Sequence, residues 1–145
     1  MAITFDTADY EEIRKAIDTT LSENTLSDTV ISSSLYEGAA IEVVEAAVAS
    51  LDAGQQTTYS PRIKRAAKYL TASYVCPAVP ALSNETIEGD QQSWQNRDLT
   101  KLAKELEGRA YDVIQRILTE AKGEPSPSDS SFAEGLFTTA KANAK

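Results

Sequence analysis

Histidine is absent from the 145-residue chain, and cysteine, methionine and tryptophan occur once each. Without histidine there is no Ser-His-Asp or Cys-His arrangement, and most zinc sites lose their commonest ligand. The lone thiol, Cys76, cannot form an internal disulfide and suits a reducing cytoplasm. It precedes Pro77 with no histidine to activate it, which fits a buried, inert thiol. No phosphate-cradling glycine loop of the Walker or dinucleotide-binding kind occurs. No apolar run approaches the roughly 20 residues of a membrane span. The best candidate, "AAIEVVEAAVASL", is broken by Glu42 and Glu45. The opening "MAITFDTADYEE" has neither a basic n-region nor an apolar h-region, so no secretory signal is expected. "NET" at Asn84–Thr86 is then a chance match to the glycosylation pattern. Surface carboxylates at helical spacing, such as Glu42 and Glu45, are solvated far more often than catalytic. No catalytic residue, cofactor site or metal ligand set is expected, and the chain does not read as an enzyme.

What is present describes one soluble helical domain. The chain is 41% hydrophobic and 25% charged, with length enough for a single core. Its net charge of −8 is unevenly spread. Residues 1–60 hold eleven acidic and two basic side chains, whereas residues 61–122 hold eight acidic and ten basic. Such a chain is a poor generic nucleic-acid binder, because phosphate affinity comes from clustered Lys and Arg. The two halves are either ordinary solvated helix faces or complementary surfaces for head-to-tail association.

Apolar periodicity predicts four main helices. The first follows Asp6 or Thr7 as cap and buries Tyr10, Ile13, Ala16, Ile17 and Leu21. Ser27 or Asp28 caps a short turn with Val30 and Ile31. The second runs from Leu35 to Leu51, with Leu35, Ala39, Ala40, Val43, Val44, Ala47, Val48 and Leu51 as its apolar stripe, Gly38 as a site of close approach and Gly54 as its terminator. The third starts at Ser60-Pro61 and buries Ile63, Ala66, Ala67, Leu70 and Tyr74. Arg62, Lys64, Arg65 and Lys68 crowd its first two turns, against the helix dipole, so either a partner favours them there or they point to water. Pro77 ends or kinks it near Val75–Cys76, and Pro80 argues against continuation. The fourth, capped by Asp98, carries Leu99, Leu102, Ala103, Leu106, Ala110, Val113, Ile114, Ile117 and Leu118, with Gly123 just past its end. Glu11–Lys15 and Glu105–Arg109 have the i,i+4 spacing of surface ion pairs.

Two segments interrupt this pattern. Residues 83–96 form a long polar loop, with Gly89-Asp90 as the turn of a possible short β-hairpin. Its lone indole, Trp94, either tucks against the base of the fourth helix or anchors an interface. Residues 123–131, Pro- and Ser-rich, read as a flexible linker after a bundle domain of residues 1–122. Beyond it, residues 132–145 carry Phe132, Leu136 and Phe137 at spacings that share one face of a short helix. So short a helix is marginal alone, so this is either a frayed tail or a segment that docks on a partner.

The order of these pieces resembles the head–tail connector adaptor proteins of tailed bacteriophages. The resemblance rests on "LSDTVISSSLYEGAAIEVVEAAV", "RIKRAAKYLTASYVCPAVPAL", "NETIEGDQQSW" and "LTKLAKELEGRAYDVIQRIL", in that order, over roughly Ala8 to Leu118. Each piece has low specificity; the order carries the likeness. The chain departs from the family at Glu88, an extra residue before Gly89-Asp90. The resemblance implies an all-α structural virion protein in a homo-oligomeric ring, dodecameric in the family, beneath the portal protein. It would extend the channel toward a tail-side neck or tail protein, with DNA passing through without sequence-specific binding and with no membrane involved. Its place would be the head–tail interface of the virion, after synthesis in the host cytoplasm. Phe132, Leu136 and Phe137 would grip the portal. Glu37, Glu42 and Glu45 of one copy would face Arg62, Lys64, Arg65 and Lys68 of the next. Glu85, Ile87, Asp90 and Trp94 are the loop residues expected to make contacts. The competing reading is a generic cytosolic helical interaction module whose C-terminal segment binds a partner.

Overall fold

Capping residues set most of the helix starts. In the computed structural model, which describes residues 2–82 and 98–123, the chain is all-α, with no strand among the described residues. Helix α1 (Thr7–Ile17) opens with a capping box: the Asp6 carboxylate accepts from the Asp9 N–H at 3.0 Å, and Asp9 accepts from the Asp6 N–H at 2.9 Å. Ser27 caps the single turn α2 (Asp28–Ile31). A π turn (Ser34–Gly38) runs into α3 (Ala39–Ala47). Asp52 and Gln55 form a second capping box, at the start of α4 (Ala53–Thr58). Then come α5 (Ser60–Val75), a 3-10 turn (Cys76–Ala78), α6 (Val79–Leu82) and the long α7 (Leu99–Ala121), capped by Asp98.

Helices α5 and α7 are the frame, and they run antiparallel. Ile63, Ala66, Ala67 and Leu70 from the first part of α5 pack with Ala110, Val113, Ile114 and Ile117 from the last part of α7. Ala72 and Val75, at the other end of α5, pack with Leu102 and Leu106 near the start of α7. Two clusters of buried side chains result. The first is completed by Ala40, Val44 and Val48 of α3, with Leu51 and Ile3. The second is completed by Ile13 and Ile17 of α1, Leu21, Leu26, Ile31 and Val79. Phe5 bridges them: it packs against both clusters and meets Tyr10 edge-on, ring centroids 6.0 Å apart.

Several local expectations are corrected. Leu35 is 73% exposed, because the π turn rotates it away from the stripe that Ala40 and Val44 continue. Gly54 does not terminate a helix; it lies in the first turn of α4, whose capping box overrides the helix-ending reading of Asp-Ala-Gly. At Gly38 an added Cβ would meet its nearest neighbour, Ser34 Cβ, at an ordinary 3.5 Å, so no close helix approach explains it. Ser60 is already helical and Tyr59 occupies the cap. The chain also stays helical past Pro77 and Pro80. Each proline falls in the first turn of a new short helix, where its missing N–H is not needed. Gly123, at φ 79°, closes α7 in the left-handed conformation that glycine adopts without strain. The expected loop and hairpin of residues 83–96, the linker 123–131 beyond Gly123 and the segment 132–145 lie outside the described residues.

Candidate interaction surface

The basic run on α5 divides into two sets. Lys64 and Lys68, one turn apart, reach α1: Lys64 pairs with Asp9 at 2.8 Å, and Lys68 pairs with Asp9 at 3.3 Å and Glu12 at 2.5 Å. Arg62 pairs with Glu120 at the end of α7 and lies over the Tyr59 ring, 5.6 Å from its centroid. These partners are what the crowded cations required against the helix dipole. Asp9 is the centre of the seam, 6% exposed. Burial pushes its carboxyl up, but the Lys64 hydrogen bond, the Asp6 N–H, the Lys68 hydrogen bond and the Lys64 charge together hold it down at about 2. On Lys68, burial favours the neutral amine, but Glu12 and Asp9 outweigh it and raise the ammonium above its ordinary value.

Arg65 belongs to the other set. It is exposed and forms no ion pair among the described residues. It lines a groove of about 320 Å³ between α1, α5 and α7. Lys15 of α1 and Arg109 of α7 reach the same groove, with Lys68 and Glu12 at its α1 side. Ile13, Ala16 and Tyr69 supply its apolar lining. The expected pairs Glu11–Lys15 and Glu105–Arg109 do not form; the i,i+4 pair present on α7 is Asp112–Arg116, at 2.9 Å. Lys15, Arg65 and Arg109 thus line one groove from three helices, with no carboxylate paired to any of them among the described residues. A second depression, of about 360 Å³ beside Ala53, Gln56 and Ser60, is lined by no charged side chain.

The acidic candidates also separate. Glu37 accepts a 2.5 Å hydrogen bond from the Tyr10 hydroxyl, which is raised above its ordinary range by burial and by that carboxylate. Glu45 accepts from the Ile3 N–H at 3.4 Å and so helps hold the N-terminal segment on α3. Glu42 is exposed and has no partner among the described residues. Of the seven proposed interface residues, Glu42 and Arg65 alone have neither an ion pair nor a side-chain hydrogen bond among the described residues. Sequence reasoning missed Lys15 and Arg109 because their i,i+4 carboxylates looked sufficient. It also missed Arg14, which is 3% exposed and donates to Asp28 at 2.6 Å and to the Leu26 carbonyl at 3.1 Å. The signal was there: Arg14 lies one residue from Ile13 and three from Ile17, on the buried side of α1.

Glu85, Ile87, Asp90 and Trp94, and likewise Phe132, Leu136 and Phe137, lie outside the described residues. Among the described residues no group of three or more His, Cys, Asp or Glu is placed to hold a metal ion, and no helix is long and apolar enough to cross a membrane. Cys76 is buried. Comparisons with protein-family models, with curated proteins and with solved structures return no match.

Proposed function

We propose that this chain is a structural adaptor of a phage head–tail connector, a non-enzymatic all-α subunit that assembles as a ring under the portal and continues the DNA channel toward the tail. One observation carries the reading beyond the resemblance. The two segments assigned to outside contacts depart from opposite ends of the α5/α7 hairpin. The segment after Leu82 leaves beside the N-terminus of α7, whose Leu99 carbonyl accepts from the Cys76 thiol at 3.4 Å. The C-terminal segment leaves after Gly123, beside the start of α5, where Gln55 donates to the Ala121 carbonyl at 3.2 Å and Arg62 pairs with Glu120. A 23-residue α7 spans about 34 Å at the helical rise, so the two exits are a bundle length apart. An adaptor between two partners needs that separation. The acidic balance of the chain also suits a channel through which DNA slides, because a strongly basic lumen would retain phosphates.

The test is co-purification with a portal ring from the same genome. The full chain is expected to bind, and the chain lacking residues 124–145 is expected to stay folded and lose binding. Equal binding by the truncated chain would remove the docking role of Phe132, Leu136 and Phe137. A chain that binds no portal but captures another partner through its tail would favour the generic interaction module.

A further inference from the structure

We infer that the α1/α5/α7 groove is the seat of this chain's own C-terminal segment, with Glu134 among the groove cations and Phe132, Leu136 and Phe137 over the apolar lining. The groove suits a ligand that carries acid and hydrocarbon side by side. Lys15, Arg65 and Arg109 have no ion pair among the described residues, and Ile13, Ala16 and Tyr69 supply the apolar part. Glu12 also lines the groove, but Lys68 engages it. Residues 124–137 have the complementary chemistry: three carboxylates, Glu124, Asp129 and Glu134, no Lys or Arg, and three large apolar side chains within six positions around Glu134. The path to the groove is short. The chain leaves the bundle where Arg62 pairs with Glu120. From there Arg62, Arg65 and Tyr69 follow one face of α5, three then four residues apart. Glu120, Arg116 and Arg109 follow one face of α7, four then seven residues apart. Arg109 lies fourteen residues before Gly123, about 21 Å at the helical rise. The eight residues 124–131 reach about 27 Å when extended, so Phe132 can arrive at the groove. The tether holds the segment at an effective concentration on the order of millimolar, an advantage that carboxylates fixed elsewhere on the helices lack. Residues 83–97 also carry acids, but they are anchored at both Leu82 and Asp98 and depart from the opposite end of the hairpin. Their large apolar side chains, Ile87 and Trp94, also stand seven residues apart. The contact closes within one chain and does not depend on the adaptor reading. A partner that takes the segment must draw it from the groove, so its apparent affinity falls with the fraction of the segment left free.

A nitroxide spin label on Ser131→Cys of the full chain, read by NMR, tests the contact; the native Cys76 is buried and escapes labelling. The amide signals of Ala16 and Tyr69 should lose most of their intensity. Arg65→Glu with Arg109→Glu should restore them, and so should Glu134→Lys. Arg65 and Arg109 are exposed, so the circular dichroism of R65E/R109E should be unchanged. Adding Glu134→Lys to R65E/R109E should bring the intensity loss back, because the charges are then exchanged. Groove signals untouched by the label in the otherwise unaltered chain overturn the inference, as does a loss equally strong in R65E/R109E. A loss that arises between labelled and isotope-enriched copies in a mixture puts a second copy in the groove and also overturns it. Groove signals that shift with Asp90→Lys but not with Glu134→Lys put residues 83–97 there, with the same consequence. No portal enters this measurement. A seated segment in a chain that ignores a portal leaves the contact standing and removes the adaptor reading. An empty groove in a chain that binds a portal does the reverse.

Discussion

Lys64 and Arg65 are neighbours with the same charge, yet they belong to different parts of the molecule. Lys64 joins the seam with α1, where Asp9 is nearly buried and every charge has an opposite within bonding distance. Arg65 lines the groove with Lys15 and Arg109, and none of the three has an ion pair among the described residues. The seam holds the fold together and has nothing left to offer a partner. Those three groove cations make no such pairs among the described residues. Charge along a helix is therefore informative only after it is divided between faces.

The comparison breaks most sharply on the structural side. Arg14→Ala removes a buried guanidinium and strands Asp28 and the Leu26 carbonyl; it should cost about 3 kcal/mol in urea unfolding. Asp9→Asn keeps the shape but leaves Lys64 and half of the Lys68 contacts unmatched, and should cost about 2 kcal/mol. The same carboxylate makes stability depend on acid. Its folded value, about 2, lies below the ordinary 3.8, so folding favours the ionised form. That contribution, about 2 kcal/mol, is fully present above about pH 5 and is lost as pH falls toward the folded value. Asp9→Asn should flatten this part of the stability curve. On the groove side, R65E/R109E should change stability by less than about 0.5 kcal/mol, because both side chains are exposed and neither has an ion pair among the described residues. A groove variant as destabilised as Asp9→Asn would erase the distinction between the two regions.

Much of the frame was legible in the residues. The 3.6-residue recurrence in α7 placed nine apolar residues on one face; Leu102, Leu106, Ala110, Val113, Ile114 and Ile117 are buried, and Leu99, Ala103 and Leu118 are partly buried against the same clusters. Asp6 and Asp98 were readable as caps because the apolar period begins just after them. The interruptions were harder. A π turn shifts the helical phase by one residue, so the stripe reading that buried Val44 also buried Leu35, which is exposed. The prolines at 77 and 80 were readable as stops, but short helices can restart around them when the N–H they lack is not required. The surface was least legible, because i,i+4 spacing permits an ion pair without enforcing one. Glu105 and Arg109 have the spacing and do not meet, whereas Asp112 and Arg116 do. Lys64 and Lys68 meet Asp9 across more than fifty residues of chain, a tertiary pairing that no local pattern encodes.

The most direct measurement is negative-stain imaging of purified portal rings incubated with the full-length chain. The account predicts an added ring of density on one face of the portal with the full chain, and none with the chain lacking residues 124–145. Portal rings left bare at saturating wild-type chain would contradict it.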